Sequence, residues 1–238
     1  GLIRERRSQL IMAPTSGGKT LVGEIAGVSN TLKNKGKMLY LVPIVALANI
    51  RTTEFTEKYS PINLKVLKKT GQSFLDSSSD RSKLSDLGNA DIVIATYEAI
   101  DYIFRSGNSK FLGNIGTVVI DEVQTLIDQE RGYILDGLIS RLKFLYTNAQ
   151  FLYLSATIGE PLELAERLNC ELIRYSNRPV PVERHLVLCQ NEGMKHKTIE
   201  NLARKAFHSL SDYGFKGQTI VFCNTGKKCE ALTKYLNE

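Results

Sequence analysis

A run of eight residues near the beginning of the chain has the composition of a phosphate-binding loop. It consists of Ala13, Pro14, Thr15, Ser16, Gly17, Gly18, Lys19 and Thr20. Two adjacent glycines allow a tight turn in which several backbone N–H groups face one phosphate. Lys19 can reach the β- and γ-phosphates of a nucleotide, and the hydroxyl of Thr20 can hold Mg²⁺. The run therefore predicts a site for ATP and Mg²⁺, and a plain strand-to-helix turn with a surface lysine is the alternative.

Two acids, Asp121 and Glu122, come directly after the apolar run Thr117–Ile120. Successive side chains near the end of a strand point to different sides, so the two carboxylates can serve different purposes. We assign Asp121 to Mg²⁺, through water, and Glu122 to polarising the water that attacks the γ-phosphate. Together with Lys19 they form the predicted catalytic set. The alternative is a solvated acidic turn that caps the following helix.

Short apolar runs alternate with amphipathic runs through most of the chain. The predicted strands are Gln9–Met12, Met38–Val42, Asn63–Leu67, Asp91–Ala95, Thr117–Ile120, Phe151–Leu154 and Glu171–Arg174. The predicted helices are Lys19–Lys33, Ala46–Lys58, Tyr97–Arg105, Gly132–Tyr146 and Pro161–Leu168. Apolar strands separated by amphipathic helices are typical of an α/β fold, with a parallel sheet covered on both faces. Ligands of such sheets bind beyond the carboxyl ends of the strands, where the loop and the acids fall.

Two further patterns concern helix packing and the surface. Leu21, Ile25, Val28 and Leu32 recur at helical spacing, which predicts one apolar stripe on the Lys19–Lys33 helix. The polar segment Ser73–Asn89 contains three consecutive serines and is expected to form a surface loop or a short helix.

Two prolines in the segment 178–182 indicate a linker, because proline resists both a helix and a central strand. Beyond it we predict four elements, His185–Leu188, Lys195–Ser211, Gln218–Phe222 and Gly226–Asn237, as strand, helix, strand and helix. They repeat the α/β pattern but are too few to bury a doubly wound core. We therefore expect one domain over residues 1–180 and an incomplete second domain over residues 181–238.

Composition narrows the class of protein. The formal charge is +6, from 31 basic and 25 acidic residues, which suits a phosphate-bearing partner without proving one. The four cysteines form no C-x-x-C pair, so no zinc site is expected. Since no apolar run is long enough to span a bilayer, we expect a soluble cytoplasmic protein without a membrane partner. We also expect a monomer.

The order of short motifs resembles that of superfamily-two DExH/DEAD-box helicases, in particular the Ski-two-like group, which includes archaeal repair helicases. The chain is similar to these proteins at eight places, namely Ala13–Thr20, Tyr40–Ala48, Thr70-Gly71, Ala95–Glu98, Asp121–Gln124, Arg131-Gly132, Ser155–Thr157 and Thr219–Asn224. Each short motif alone is weak, but their order, with most of them at predicted strand ends, is specific. The resemblance covers nearly the whole chain, and it implies a RecA-like ATP-binding domain followed by the opening of a second one.

The resemblance also implies roles for individual residues. Those expected to grip single-stranded or forked nucleic acid, DNA rather than RNA, are Pro43, Ala46, Leu47, Thr70, Gly71, Thr96, Tyr97, Arg131 and Gly132. Such contacts with phosphates position a strand without reading its sequence. Those expected to couple the nucleotide site to that grip are Gln124, Ser155 and Thr157. Thr157 has the alternative role of capping the helix that follows it.

Several features depart from the family pattern. Ala13 replaces the usual first glycine of the loop, Gln124 stands where the group has histidine, and Val45 stands where many members have arginine. Glutamine still donates and accepts hydrogen bonds but does not titrate near neutral pH. The segment that reads adenine and the motifs that carry the arginine finger are absent, so we expect this fragment to bind nucleotide weakly and hydrolyse it slowly.

Three functions remain open from the residues and the resemblance together. The leading one is an ATP-driven helicase or translocase, completed by the remaining helicase domains of the full-length protein. The second is an ATP-gated nucleic-acid clamp, or an RNA helicase or remodeller without processive unwinding. The third is an unrelated P-loop kinase, which would need an acceptor site and a lid that no pattern here suggests.

Overall fold

Seven parallel strands form one sheet in the first part of the molecule. The structure, a computed structural model, describes residues 5–15, 17–71, 85–156, 158–177, 186–208 and 219–237. The chain divides into two compact units, Gly1–Pro181 and Val182–Glu238. The strands of the first unit are β1 Gln9–Met12, β2 Lys37–Val42, β3 Val66–Lys69, β4 Ile92–Thr96, β5 Ile115–Ile120, β6 Gln150–Ser155 and β7 Glu171–Arg174. Their order across the sheet is β3-β4-β2-β5-β6-β1-β7.

Helices cover both faces of this sheet. They are α1 Lys19–Leu32, α2 Val45–Tyr59, α3 Tyr97–Arg105, α4 Gly132–Leu145 and α5 Pro161–Arg167, with 3₁₀ turns at Ser60–Ile62, Ser109–Leu112 and Val123–Ile127. One apolar core contains side chains of α1 and α2, and a second contains side chains of α3, α4 and α5. The strand residues alternate between the two cores, as Val118 and Val119 illustrate. The predicted α/β fold with a parallel sheet is confirmed.

Helix α1 lies on the sheet mainly through small residues, and the predicted apolar stripe is wrong for three of its four members, since only Val28 is buried, with 8% exposed. Leu21, Ile25 and Leu32 are each about half exposed, at 50%, 51% and 55%. The buried face instead contains Gly23 and Gly27, among others. A Cβ atom on Gly23 would lie 2.8 Å from Cγ1 of Val119, and one on Gly27 would collide with Met38. Glycine is required because the helix approaches the strands more closely than a larger side chain permits.

Strand β3 begins three residues later than predicted. Ser60–Ile62 forms a 3₁₀ turn, and Asn63 adopts a left-handed conformation with φ of 63°. A residue in that conformation cannot continue a strand, so the extended segment starts only at Val66. The predicted surface segment at 73–89 lies mostly outside the described residues.

The second unit contains two described helices, α6 Glu192–His208 and α7 Gly226–Asn237. The predicted strands of this unit are wrong in their described residues, 186–188 and 219–222, which have no strand assignment. A strand requires a hydrogen-bonded neighbour, and the described part of this unit supplies none. Leu186 and Phe222 are consequently about nine-tenths exposed, at 89% and 91%. Among the described residues, no helix is both long and apolar enough to cross a membrane.

Candidate active site

The two predicted nucleotide motifs lie at the same edge of the sheet. The loop follows β1 and the acids follow β5, and β6 pairs in parallel with both of these strands. Their carboxyl ends therefore lie close together. A cavity of about 630 Å³ opens between them, lined by Thr15, Gly17, Gly18, Lys19, Thr20, Leu21, Glu24, Arg51, Glu54, Phe55, Lys58, Asp121 and Glu122. The predicted loop and both predicted acids thus line one cavity.

Gly17 and Gly18 are each required in the loop for a different structural reason. Gly17 donates its N–H to the carbonyl of Pro14 over 2.9 Å, and a Cβ on it would lie 2.8 Å from that oxygen. Gly18 has a φ of +80°, a region that residues with side chains rarely adopt. It caps α1 without a side-chain hydrogen bond, so the first helical N–H groups face the cavity as donors. Ser16 lies outside the described residues.

The ammonium group of Lys19 is held at the base of the loop. It donates to the carbonyl of Ala13 over 2.7 Å and to that of Pro14 over 3.1 Å. The side chain is buried, with 9% exposed. The positive charge is therefore anchored beside the loop N–H groups, where an anion would be attracted to both.

Asp121 is a buried carboxylate with several fixed partners. Its Oδ2 accepts a hydrogen bond from the Tyr40 hydroxyl over 2.9 Å, and its Oδ1 accepts one from the N–H of Glu122 over 3.1 Å. The hydroxyl of Tyr97 donates to its backbone carbonyl. Burial raises the pKa of the Asp121 carboxyl, and the bond from Tyr40 opposes that shift. Burial also raises the pKa of Tyr40, so this hydroxyl remains a donor.

The donors available around Asp121 suit Mg²⁺. Asp121 offers a carboxylate and Thr20 a hydroxyl in one cavity, and Mg²⁺ prefers such oxygen ligands. The described residues include no cluster of three or more His, Cys, Asp or Glu that would hold a metal alone. A magnesium ion in this kind of site needs only one or two protein oxygens, because phosphates and water complete its shell.

Glu122 turns the chain sharply after β5. Its φ of 55° places it in the left-handed region, which is uncommon for residues other than glycine, asparagine and aspartate. The hydroxyl of Thr125 donates to its carbonyl over 2.8 Å and stabilises the turn. As a result, the Glu122 carboxylate lines the cavity while the chain continues into the 3₁₀ turn.

A chain of three side chains joins the ends of β5 and β6. The amide nitrogen of Gln124 donates to the carboxylate of Glu122. The hydroxyl of Ser155 donates to the amide oxygen of Gln124 over 2.6 Å. Ser155 is fully buried, which fixes that end of the chain. The structure thus brings together two of the three predicted coupling residues; Thr157 lies outside the described residues.

Arg51 lines the cavity and was not predicted from the sequence. Its guanidinium donates to the hydroxyl of Thr20 over 3.1 Å and to the carboxylate of Glu54 over 2.8 Å. Arg51 lies in the middle of α2, where an arginine ordinarily indicates a solvated surface. Tyr40 was also missed, although a tyrosine inside an apolar strand is a signal, since its buried hydroxyl needs a partner.

The predicted nucleic-acid residues lie at the other half of the same edge, beyond β2, β3 and β4. Ala46 and Gly71 are exposed, and Pro43 and Leu47 are half-buried. Thr70 and Thr96 are buried, with 7% and 3% exposed. Because the Thr96 side chain is buried, only the backbone near it is available to a ligand.

Three of the predicted nucleic-acid residues have structural roles within the fold. Tyr97 is 1% exposed and its hydroxyl donates to the backbone carbonyl of Asp121, so its side chain lies inside the fold. Gly132 is buried against the carbonyl of Leu126. Arg131 pairs with Glu98 and also donates to the carbonyl of Pro43, so it braces the turn after β2.

Comparison with known protein families gives one match over most of the chain. The family described as DEAD/DEAH box helicase matches residues 2–165. A probable ATP-dependent helicase of Methanocaldococcus jannaschii is 46% identical over 227 residues, covering 95% of this chain and 27% of that protein. The ATP-dependent DNA helicase Hel308 of Caldivirga maquilingensis is 33% identical over 241 residues, covering 96% of this chain and 30% of that protein. The chain thus spans less than a third of the length of these relatives.

Comparison with solved structures supports the same fold. The crystal structure of the DUF1998 helicase MrfA bound to DNA matches with a TM-score of 0.73 and 21% sequence identity. The match covers 99% of this chain and 34% of that chain. At this identity the likeness concerns the arrangement of strands and helices.

Proposed function

Since this chain belongs to the DEAD/DEAH box helicase family, we propose that it is the ATP-binding motor part of an ATP-dependent DNA helicase. The predicted membership in superfamily-two helicases and the predicted RecA-like fold are confirmed. The relatives named as ATP-dependent DNA helicases support DNA over RNA as the substrate. The activity itself belongs to the full-length protein.

The observation that carries this proposal is the cavity shared by the loop and the two acids. Lys19 and the N–H groups at the beginning of α1 bind the β- and γ-phosphates of ATP. Thr20 and Asp121 would hold Mg²⁺, which would neutralise part of the negative charge on the phosphates. Lys19, Thr20 and Asp121 all line this cavity, which supports these roles.

Glu122 directs the hydrolytic water. Its carboxylate accepts a hydrogen bond from a water molecule whose oxygen attacks the γ-phosphorus. The water passes its proton to the Glu122 carboxylate, the bond from that phosphorus to the β-bridging oxygen breaks, and ADP and phosphate leave. Gln124 holds the Glu122 carboxylate through its amide nitrogen, so the orientation of Glu122 depends on Ser155 as well. Through these three side chains, a change at the nucleotide reaches the end of β6.

Single-stranded DNA lies on the other half of the edge, against the loops that follow β2, β3 and β4. Backbone groups and exposed side chains there bind phosphates without reading bases. Residues 181–238 open the second RecA-like domain, and the remaining domains of a monomeric protein complete the motor. The chain covers less than a third of its relatives, and we infer that the rest of the protein supplies an arginine finger, so this part alone hydrolyses ATP slowly.

The test is the ATPase activity of the full-length protein with single-stranded DNA, with single-stranded RNA and without nucleic acid. We expect DNA to stimulate hydrolysis more than RNA, and Lys19→Ala to abolish the stimulated activity. Equal rates under all three conditions would contradict a nucleic-acid motor. Strand separation that proceeds without stimulated hydrolysis would contradict it as well.

A further inference from the structure

The cation of Arg51 lies where Mg²⁺ is proposed to bind. Its guanidinium donates to the hydroxyl of Thr20, the atom assigned to the metal. Arg51 also shares a cavity with Asp121, the second assigned ligand. A hydroxyl oxygen that accepts a bond from a guanidinium offers less electron density to a metal, and two cations at one oxygen repel each other.

The residues around Arg51 satisfy only some of its hydrogen-bond donors. One terminal nitrogen is fixed by Glu54 over 2.8 Å, and the side chain is 22% exposed. Its Nε is buried and has no hydrogen-bond partner among the described residues. A buried donor without a partner costs free energy, so this position of Arg51 leaves one of its five donors unsatisfied and favours its release.

The charge of Arg51 acts on the buried acid. Arg51 and Asp121 line the same cavity, so the positive charge of Arg51 attracts the carboxylate of Asp121. The effect is mutual, because Asp121 is among the groups that favour the charged form of Arg51. Arg51 thus stabilises a carboxylate that would otherwise be buried with little compensating charge.

We propose that Arg51 is a substitute cation: it holds the Thr20 hydroxyl and balances Asp121 and the triphosphate until Mg²⁺ takes its place. This inference rests on the proposed ATP site. Arg51 therefore favours binding of metal-free nucleotide and opposes binding of the metal. By linkage, the ratio of nucleotide affinities with and without Mg²⁺ measures this competition.

The experiment titrates the full-length protein with a fluorescent ATP analogue, once in EDTA and once in saturating Mg²⁺. It compares the wild type with Arg51→Met, which keeps an unbranched apolar stem without the charge, and with Arg51→Lys, which keeps the charge. Arg167→Met is the matched control, since it breaks an exposed pair with Asp136 away from the cavity. Thermal unfolding of each variant verifies that it is folded.

Arg51→Met is expected to weaken binding in EDTA about tenfold, while binding in saturating Mg²⁺ changes less than about twofold, for a single charge near a buried site. The Mg²⁺ concentration for half-maximal binding should fall severalfold. Arg51→Lys should remain within about threefold of the wild type in EDTA, and Arg167→Met should change nothing.

The experiment distinguishes failure of the Arg51 inference from failure of the proposed ATP site. Equal losses in EDTA and Mg²⁺ would overturn the inference and make Arg51 a direct ligand of the phosphates. No change in either condition would also overturn it. If the wild type binds no nucleotide in either condition, the proposed ATP site fails instead. If Arg51→Met does not fold, Arg51→Lys and Arg51→Gln repeat the comparison.

Discussion

The two halves of the carboxyl edge of the sheet are built in different ways. The half at β1, β5 and β6 presents fixed side chains: Lys19 and Asp121 are buried and hydrogen-bonded. The half at β2, β3 and β4 presents mainly backbone and small exposed residues such as Ala46 and Gly71. In the proposed function, the first half, the nucleotide half, binds ATP through a few fixed atoms. The second, the strand half, binds a nucleic-acid strand through the shape of its loops. A single substitution should do much more damage in the first half than in the second.

The largest effect is expected for Lys19→Ala. Removing the ammonium that faces the phosphates should lower ATP turnover of the full-length protein by roughly 10³-fold, the scale of a lost preorganised charge. Steady-state ATPase rates with single-stranded DNA measure it. Lys33→Ala, just past the other end of α1, is exposed and should leave the rate unchanged. A loss below tenfold would mean that the loop does not grip the phosphates as proposed.

The next effect is expected for Glu122→Gln. The amide keeps the size of the side chain but cannot accept a proton from water, so turnover should fall by roughly 10²-fold. The affinity for ATP should remain within about threefold, because no phosphate contact is lost. Rate and affinity are measured on the same protein, with the exposed Glu130→Gln as control. Unimpaired hydrolysis would remove Glu122 from the catalytic set.

A smaller effect is expected in the strand half. Ala46→Glu places a negative charge on the exposed beginning of α2 and should weaken binding of single-stranded DNA about tenfold through repulsion of phosphates. The affinity for ATP should not change. Fluorescence anisotropy with labelled DNA at two salt concentrations measures the loss, which should shrink at high salt. Ala46→Gln is the control of equal size, and equal losses in both variants would indicate a steric effect.

The smallest effect is expected for the hydrogen-bonded side chains that join the ends of β5 and β6. Ser155→Ala breaks the hydrogen bond to Gln124, which is worth about 1 kcal/mol, so stimulation of the ATPase by DNA should fall about fivefold. The rate without DNA should change less than about twofold. Ser140→Ala, on the exposed face of α4, is the control. Equal losses with and without DNA would mean that Ser155 supports folding and has no role in coupling.

The sequence predicted the sheet well because its strands are apolar on both faces. The bounds of β1, β7, α3 and α7 agree with the prediction residue for residue. Parallel strands between two layers of helices carry a continuous apolar signal that does not depend on the rest of the fold. Strand β3 lies at an edge of the sheet and contains Lys68 and Lys69, so its signal was weak and its beginning was misplaced.

Tertiary contacts decided what the sequence could not. On α1, periodicity identified Leu21 and Ile25 as the inner face, whereas close packing selected the glycines. In the site, the motifs located the loop and the acids but not Arg51, whose role depends on where α2 lies relative to α1. In the second unit, apolar runs predicted strands, yet a strand exists only where another strand accepts its hydrogen bonds.

The glycine face of α1 links the packing of this helix on β5 to the geometry of the active site. Gly23 rests against Val119 on β5, and the same two elements carry Lys19 and Asp121. Any side chain at residue 23 would push α1 and β5 apart, because a Cβ atom there would lie too close to Val119. We therefore expect a substitution of Gly23 to change the distance between Lys19 and Asp121, and with it the proposed ATP site, from inside the core.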